Sequence, residues 1–167
     1  MDIEGTIRTR RSIRRFQPQE IGLDDREALL EAGRWAPSGL NNQPWRLVLI
    51  EDRGKAAELA DCTKYASIVN GAPLLIAVFL DEETSYDRDK DVMAVGAFIQ
   101  NLLLTAHARG LGAVWLGEIL KQKEKVRELL KVPRGNELMA VVAIGKPAEQ
   151  PKEGSRKPTD DLILKKF

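Results

Sequence analysis

Pro73-Leu74-Leu75-Ile76-Ala77-Val78-Phe79-Leu80 is a run of eight residues without a charged or hydrogen-bonding side chain. Side chains alternate between the two faces of a strand, so a strand of this composition must be covered on both faces. The run therefore predicts a strand at the centre of a sheet that has further layers on each side.

Segments with helical or strand patterning alternate on both sides of this run. Residues 23–36 have a helical apolar stripe, in which Asp24 can cap the first turn and Pro37 ends the helix. The other patterns predict strands at residues 46–50, 113–116 and 138–144, and helices at residues 53–66, 92–108 and 121–131. Such alternation favours three layers, with helices on both faces of one sheet. The pattern leaves the direction of the strands open.

The predicted helix that follows the central strand is unusually apolar. It starts at Asp89 or Asp91, and its body over residues 92–108 has few polar side chains. A subunit of this size cannot easily bury such a helix on all sides, so we expect part of it to pack against a second copy of the chain. The sequence therefore predicts a dimer.

Length and composition restrict the class of protein. The chain has 167 residues with 43% hydrophobic content, which fits one domain over residues 1–167. Its 26 lysines and arginines nearly cancel its 25 acidic residues, so we expect no nucleic-acid partner. The chain lacks an apolar signal segment at its start and any run long enough to span a bilayer, so we expect a cytoplasmic protein without a membrane partner. A single cysteine, Cys62, excludes an intramolecular disulfide and a thiolate metal site.

Motifs for nucleotide or metal binding are incomplete. Gly110-Leu111-Gly112 precedes a strand, and Trp115 stands near where a dinucleotide-binding motif has its third glycine. The aspartates within residues 87–91 have the spacing of a calcium loop, but Val92 replaces its turn glycine. We therefore expect no metal site. His107 is the only histidine and has no neighbouring nucleophile, so we assign it no catalytic role.

Arginine is concentrated near the start of the chain. Five of the eight residues from Arg8 to Arg15 are arginines, which indicates an anionic ligand. A phosphomonoester fits best, because the arginine fork can bond two phosphate oxygens and Ser12 offers a hydroxyl at the same place. Two alternatives remain open, a nucleic-acid footprint and a surface helix whose arginines pair with acids.

A second polar segment lies between the first predicted helix and strand. It reads Pro37-Ser38-Gly39-Leu40-Asn41-Asn42-Gln43-Pro44-Trp45. A plain turn explains its proline and glycine, but explains three consecutive amide side chains less readily. Amides both donate and accept hydrogen bonds, so they can bind the polar edge of a ring such as isoalloxazine.

The order of these segments resembles that of the nitroreductase family of FMN enzymes. The matching strings are Arg10-Arg11-Ser12-Ile13-Arg14-Arg15-Phe16, Ala36-Pro37-Ser38, Asn41-Asn42-Gln43-Pro44-Trp45, Gln100-Asn101-Leu102-Leu103-Leu104, Gly110-Leu111-Gly112, Trp115-Leu116-Gly117 and Ile144-Gly145-Lys146-Pro147. Each string is unspecific alone, but together they are specific and cover essentially the whole chain.

The resemblance implies a fold and an assembly. Members of the family have an α+β fold with three layers (α/β/α), in which helices flank a mixed, mainly antiparallel sheet. Two chains form an intertwined homodimer with FMN sites at the subunit interface. The extended tail over residues 146–167 is then expected to dock on the partner subunit, which suits the apolar side chains of Leu162, Ile163 and Leu164.

The resemblance also implies the residues of the FMN site. The phosphate and ribityl chain would be held by Arg10, Ser12 and Arg14, with Arg11 nearby and Arg156 and Lys157 reaching in from the tail. The partner subunit would present Pro37, Ser38, Gly39 and Asn41 to the flavin, while Gln43 supports its pyrimidine edge. Backbone groups of Leu116 and Gly117 would lie against the ring. The flavin itself would carry the chemistry, so no side chain is expected to be catalytic.

The activity that the resemblance implies is electron transfer from NADH or NADPH, through FMN, to a nitroaromatic, a quinone or a related small acceptor. Donor and acceptor would use the same place in turn, which predicts ping-pong kinetics. One alternative is a relative that uses reduced flavin for reductive dehalogenation or flavin breakdown. Another is a flavin-binding or nucleic-acid-binding module without turnover.

Overall fold

The structure is a computed structural model that describes residues 2–151 and 153–167. Met1 and Lys152, which belong to the predicted domain and its tail, lie outside the described residues. The helices are α1 (Ile3–Thr9), α2 (Leu23–Arg34), α3 (Arg53–Ala60), α4 (Ala66–Gly71), α5 (Arg88–Ala108) and α6 (Lys123–Leu129). The strands are β1 (Trp45–Ile50), β2 (Leu74–Asp81), β3 (Gly112–Leu116) and β4 (Asn136–Gly145). Short 3-10 helices occupy Gly39–Asn41, Glu118–Gln122 and Thr159–Leu162.

The four strands form one sheet in the order β1-β2-β4-β3, and every neighbouring pair is antiparallel. β2 lies inside the sheet with all of its residues buried, as its composition predicts. An isolated parallel bridge between Ser12 and Ala113 adds a second direction at the β3 edge. The strand directions, which the sequence pattern left open, thus agree with a mixed and mainly antiparallel sheet.

Each face of the sheet has its own apolar core, which confirms the predicted three layers. α2 and α5 cover one face, where Leu29 and Phe98 belong to the same core as Ile76 of β2. α3, α4 and α6 cover the other face, where Leu59 belongs to the same core as Phe79. Burying a side chain of this size contributes about 1.5–3 kcal/mol, so the two cores are the main source of stability.

α5 begins earlier than the sequence predicted. We expected a start at Asp89 or Asp91, but the side chain of Asp87 accepts a hydrogen bond from the N–H of Lys90 and caps the helix there. Although most of its apolar residues are buried, Met93 is 67% exposed, which leaves an apolar part of α5 uncovered in one chain. Within residues 2–151 and 153–167, no helix has both the length and the apolarity needed to cross a bilayer.

The single helix predicted over residues 53–66 is wrong, because the chain forms α3 and α4 with a break between them. At the break, the hydroxyl of Thr63 and the N–H of Lys64 donate to the Glu118 carboxylate at 2.8 and 3.2 Å. These contacts take the place of helical hydrogen bonds and turn the chain. The partner carboxylate is distant in sequence, so the local pattern contained no sign of the break.

Two further helix boundaries differ from prediction. α2 is preceded by Gly22 as its N-cap, so Asp24 lies inside the first turn and does not cap it. The helix predicted over residues 121–131 is shorter, because its first turn belongs to the 3-10 helix before α6. Neither difference changes the layer in which the helix packs.

The arginine-rich segment leaves α1 after Thr9 and continues as extended chain along β3. The backbone N–H of Ile13 donates to the carbonyl of Ala113 at 3.1 Å. Gly112 permits this approach, because a Cβ at that position would lie 2.7 Å from the Cβ of Ile13. The alternative of a surface helix is therefore wrong for residues 10–15, and Ser12 lies beside the start of β3.

The tail that follows β4 first pairs with the arginine-rich segment, where the N–H of Ala148 donates to the carbonyl of Arg15, and is exposed beyond that. Every described residue from Glu153 to Phe167 is exposed. This includes the apolar side chains of Leu162, Ile163 and Leu164, which are 67%, 45% and 101% exposed. Apolar side chains in such a position favour contact with another surface.

Candidate functional site

The arginine cluster comprises Arg10 and Arg11 of the extended segment together with Arg156 of the tail, and Arg14 follows on the same segment. Arg10 and Arg11 are half-buried, whereas Arg14 and Arg156 are exposed. Burial lowers the pKa of the Arg10 guanidinium, and the positive charges of Arg156 and Arg11 lower it further. The guanidinium groups of Arg11 and Arg156 thus lie close enough to that of Arg10 to repel it, which favours an anion beside Arg10.

Arg11 is fixed by the backbone around it. Its Nη1 donates to the carbonyl oxygens of Arg8 and Arg10 at 2.7 and 2.9 Å. Its Nε is buried and has no hydrogen-bond acceptor within the described part of the chain. Gly154 lies directly over this guanidinium, since a Cβ there would approach Nε to 2.6 Å. The tail therefore closes over the cluster from the side of Arg156.

An open cleft of about 990 Å³ adjoins the arginine segment. Arg11, Ser12 and Arg14 line one side of it, and residues of α4 and of the tail line the other. The volume is within the range of sites that bind cofactors. Glu149 occupies one wall, where its carboxylate accepts the backbone N–H of Arg14 at 3.0 Å.

His107, to which the sequence assigned no role, lies beside the arginine cluster. Its Nε2 is 2.8 Å from the hydroxyl of Thr9. Burial lowers the pKa of the imidazole, and the charges of Arg10 and Arg11 lower it further. The two partners are 98 positions apart in the sequence, so no local pattern could have indicated this contact.

β3 connects the arginine cluster to the predicted ring-binding backbone. Ser12 bridges to Ala113 near the start of β3, and Leu116 ends the strand three residues later. At the rise of an extended chain this distance is about 10 Å. Gly117 follows, exposed and with open space where a Cβ would lie. Its backbone can therefore be approached closely by a flat ligand.

Glu118 anchors the end of β3. Its carboxylate accepts hydrogen bonds from Thr63 and Lys64, and these bonds lower the pKa of Glu118. The side chain points toward the α3–α4 break. Because its pKa is lowered, the carboxyl group stays ionised and does not act as a proton donor. This contact fixes the chain immediately after Gly117.

The polar loop over residues 37–43 has an unusual backbone. Leu40, Asn41 and Gln43 have positive φ values of 54°, 55° and 48°, which residues with a side chain seldom adopt. The loop is closed internally by a hydrogen bond from the backbone N–H of Gln43 to the hydroxyl of Ser38 at 3.0 Å. Asn41, Gln43 and Pro37 are exposed, while Ser38 and Gly39 are half-buried.

Asn42, which the predicted site omitted, holds this loop to α5. Its side-chain amide donates to the carbonyl of Thr84 at 3.1 Å and to the carboxylate of Asp91 at 2.8 Å. The loop therefore lies at the N-terminal end of α5.

One chain does not bring the two halves of the predicted site together. The loop contacts Asp91, near the start of α5, whereas the arginine segment contacts His107 at its end. These positions are sixteen residues apart on one helix, which corresponds to about 24 Å. Lys157 is exposed and belongs to neither half.

Comparison with known proteins extends this picture. The model of the nitroreductase family matches residues 7–63 and 53–146. A Methanothermobacter thermautotrophicus protein assigned as an NADH dehydrogenase/NAD(P)H nitroreductase is 31% identical over 100% of this chain and 88% of its own length. A Desulfovibrio desulfuricans protein assigned as a nitroreductase, solved in complex with FMN, is 44% identical with a TM-score of 0.95, over 100% of this chain and 98% of that chain. The NADPH:FMN oxidoreductase of Vibrio harveyi, solved with NAD⁺, is 25% identical with a TM-score of 0.90, over 98% of this chain and 76% of that chain.

Proposed function

The chain belongs to the nitroreductase family, as its motifs predicted, and we propose that it is an FMN-dependent oxidoreductase. It takes electrons from NADH or NADPH and passes them to a small organic acceptor, such as a nitroaromatic or a quinone. The observation that carries the proposal is the cluster of Arg10, Arg11 and Arg156 at one end of β3, with open backbone at Gly117 at the other end. The relatives named above, one solved with FMN and one with NAD⁺, support it.

The arginine cluster suits the phosphate of FMN. The guanidinium of Arg10 is repelled by those of Arg156 and Arg11, and a dianion beside it would offset that repulsion. Arg10 and Arg14 would bond the phosphate oxygens through charged hydrogen bonds, with Ser12 adding a hydroxyl donor. Arg11 would act mainly through its charge, because the backbone carbonyls of Arg8 and Arg10 already accept from its Nη1.

The end of β3 suits the flavin ring. About 10 Å of strand separates Ser12 from Leu116, so one extended ligand can contact both places. The missing side chain at Gly117 lets a flat ring approach the backbone, and hydrogen bonds to Glu118 hold that backbone in place. Bound FMN supplies the chemistry, because it accepts a hydride equivalent from a nicotinamide and returns electrons to an acceptor.

The proposed enzyme is a homodimer with FMN at the subunit interface. Because the loop over residues 37–43 lies about 24 Å along α5 from the arginine segment of its own chain, it would reach the flavin of the partner subunit. Pro37, Ser38, Gly39 and Asn41 would then touch the ring, and Gln43 would support its pyrimidine edge. Exposed Met93 and the exposed tail would be covered by the same assembly.

Within this dimer the chain forms one domain over residues 1–167, with residues 146–167 as the tail that docks on the partner. Arg156 and, through its charge, Lys157 would close over the phosphate from that tail. The side chains of the site orient the ligands and exclude water, and none of them reacts covalently. Donor and acceptor would enter the same place in turn, which gives ping-pong kinetics.

The proposal is tested with purified protein incubated with FMN and then desalted. Retained FMN should be reduced anaerobically by NADH or NADPH, and a nitroaromatic or a quinone should reoxidise it. Double-reciprocal plots should be parallel when both substrates are varied. Retention of FMN without reduction by either nucleotide would instead support a flavin-binding module. Loss of FMN on desalting would contradict the proposed FMN site.

A further inference from the structure

Asp91 is a fully buried carboxylate in the first turns of α5, and the proposed reaction has no direct use for it. One of its oxygens accepts the hydroxyl of Ser85 at 2.7 Å and the backbone N–H groups of Tyr86 and Asp87 at 3.0 and 3.3 Å. The other accepts the side-chain amide of Asn42 at 2.8 Å. Burial raises the pKa of Asp91, but these hydrogen bonds outweigh it and leave the pKa below its ordinary value.

The loop bonded to Asp91 is conformationally strained. Three of its residues, Leu40, Asn41 and Gln43, have positive φ values that cost free energy when the residue is not glycine. Such a backbone persists only when surrounding contacts hold it. Asn42 lies between two of these residues, and its amide donates to Asp91 and to the carbonyl of Thr84.

Tyr86 supplies a second contact to the same loop. Its hydroxyl lies directly against Gly39, where any side chain would collide with it. The backbone N–H of Tyr86 donates to Asp91, so the carboxylate fixes this residue as well. Asp91 therefore holds the loop in two ways, through Asn42 and through Tyr86.

We propose that Asp91 is a positioning residue that holds the loop over residues 37–43 in the shape required to contact flavin. Because the loop lies far along α5 from the arginine cluster of its own chain, Asp91 acts on the site of the partner subunit. The role in flavin binding rests on the proposed function. The role in shaping the loop does not, and it can be measured in the protein without FMN.

The Asp91 carboxylate accepts hydrogen bonds at the start of α5 and holds the loop through Asn42, and Asp91→Asn separates these two roles. The variant keeps one carbonyl oxygen, which can still accept from Ser85, Tyr86 and Asp87 at the start of α5. Its NH₂ group then faces the NH₂ group of Asn42, so two donors meet. Turning the Asn42 amide over would offer its oxygen to the new NH₂ group but would set that oxygen against the carbonyl of Thr84, so one bond of Asn42 is lost in either orientation. Asp87→Asn is the matched control, because it removes the same charge from the same helix end without touching Asn42.

The first measurement is amide hydrogen exchange in the FMN-free protein. We expect the N–H groups of Asn41, Asn42 and Gln43 to exchange about tenfold to a hundredfold faster in Asp91→Asn, the change that loss of a charged hydrogen bond produces. Asp87→Asn should leave these amides unchanged. Asn42→Ala, which leaves the other three bonds of Asp91 in place, should loosen the loop at least as much, because it also removes the bond to the carbonyl of Thr84. Unchanged exchange in both Asp91→Asn and Asn42→Ala would overturn the proposal.

The second measurement is FMN affinity together with the visible circular dichroism of bound flavin. Asp91→Asn should weaken FMN binding about tenfold or more and change the dichroism, whereas Asp87→Asn, which leaves the contact with Asn42 in place, should do neither. If the unaltered protein binds no FMN, the proposed function fails, and the exchange experiment still decides the role of Asp91. If FMN binds equally well to both variants, Asp91 has no role in the flavin site.

Mixed dimers test whether Asp91 acts on the partner subunit. In a dimer of one Arg10→Ala chain and one Asp91→Asn chain, both defects fall on one site and the other keeps unaltered arginines and an unaltered loop. One tight FMN per dimer is expected. When both substitutions are placed in one chain and its partner is unaltered, each site carries one defect and no tight FMN is expected. The reverse stoichiometry would show that Asp91 acts within its own subunit and would overturn the proposal.

Discussion

Arg10→Ala should weaken FMN binding without destabilising the FMN-free protein. In the absence of an anion, the positive charge of Arg10 is disfavoured by burial and by the neighbouring charges of Arg156 and Arg11. Removing it therefore relieves repulsion in the free protein. With FMN bound, the same charge would instead form charged hydrogen bonds to the phosphate. The substitution should thus act in opposite directions on the two states.

The magnitude follows from the contacts that would be lost. A hydrogen bond to a charged group contributes about 1.5–3 kcal/mol, which corresponds to a rise in the Kd of FMN of about 10- to 150-fold. The melting temperature of the FMN-free protein should stay constant or rise, because burial and the charges of Arg156 and Arg11 disfavour the charge that the substitution removes. Quenching of flavin fluorescence measures the first quantity, and thermal unfolding followed by circular dichroism measures the second.

Arg15→Ala is the matched control for this prediction. The Arg15 side chain is 81% exposed, and its Nε lies 3.9 Å from the carboxylate of Glu149. The substitution therefore removes the same charge from the same segment and loses only a weak surface ion pair. The Kd of FMN for Arg15→Ala should differ from that of the unaltered protein by about threefold or less at physiological salt. Equal effects of Arg10→Ala and Arg15→Ala would refute the placement of the phosphate. A large fall in melting temperature for Arg10→Ala would refute the claim that its charge serves a ligand.

Three further substitutions or titrations follow from the same structure. Gly112→Ala should cost about 1–3 kcal/mol of unfolding free energy in a denaturant titration, because its methyl group would lie 2.7 Å from the Cβ of Ile13, and unchanged stability would contradict that packing. The pKa of His107 should rise when FMN or inorganic phosphate binds, since an anion offsets the arginine charges that lower it, and an NMR titration without a shift would place the phosphate elsewhere. Asn42→Asp would put a second carboxylate beside Asp91, so one of the two must keep a proton and its pKa is raised. FMN binding by Asn42→Asp should therefore be retained at low pH and lost as the pH rises through the raised pKa. If the FMN affinities of the variant and of the unaltered protein kept the same ratio at every pH, the contact between residue 42 and Asp91 would be contradicted.

Much of the fold was predictable because its signals are local. The uninterrupted apolar run of β2 requires cover on both faces, and both faces are covered. The apolar body of α5 similarly required burial, although Asp87 and not a later aspartate begins it. Strand direction was not predictable from patterning, since either direction buries the same side chains.

The contacts that complete the candidate site had no local signal. Asn42 and Asp91 are 49 positions apart, and Thr9 and His107 are 98 positions apart. A local pattern shows that residues 10–14 are rich in arginine. It does not show that this segment packs along β3, where Gly112 leaves room for Ile13. Asp91 was predictable as an acidic residue near a helix start, and only the packing of the loop around it makes it a buried hydrogen-bond acceptor.

The most direct test of the proposed oxidoreductase is anaerobic titration of the FMN-loaded protein with NADH and with NADPH, followed through the visible absorption of the flavin. We expect FMN to be retained after desalting and at least one nucleotide to bleach the absorption, which should return when a quinone or a nitroaromatic is added. Retained flavin that neither nucleotide bleaches would contradict the proposed oxidoreductase, although the arginine cluster could still be a flavin-binding site.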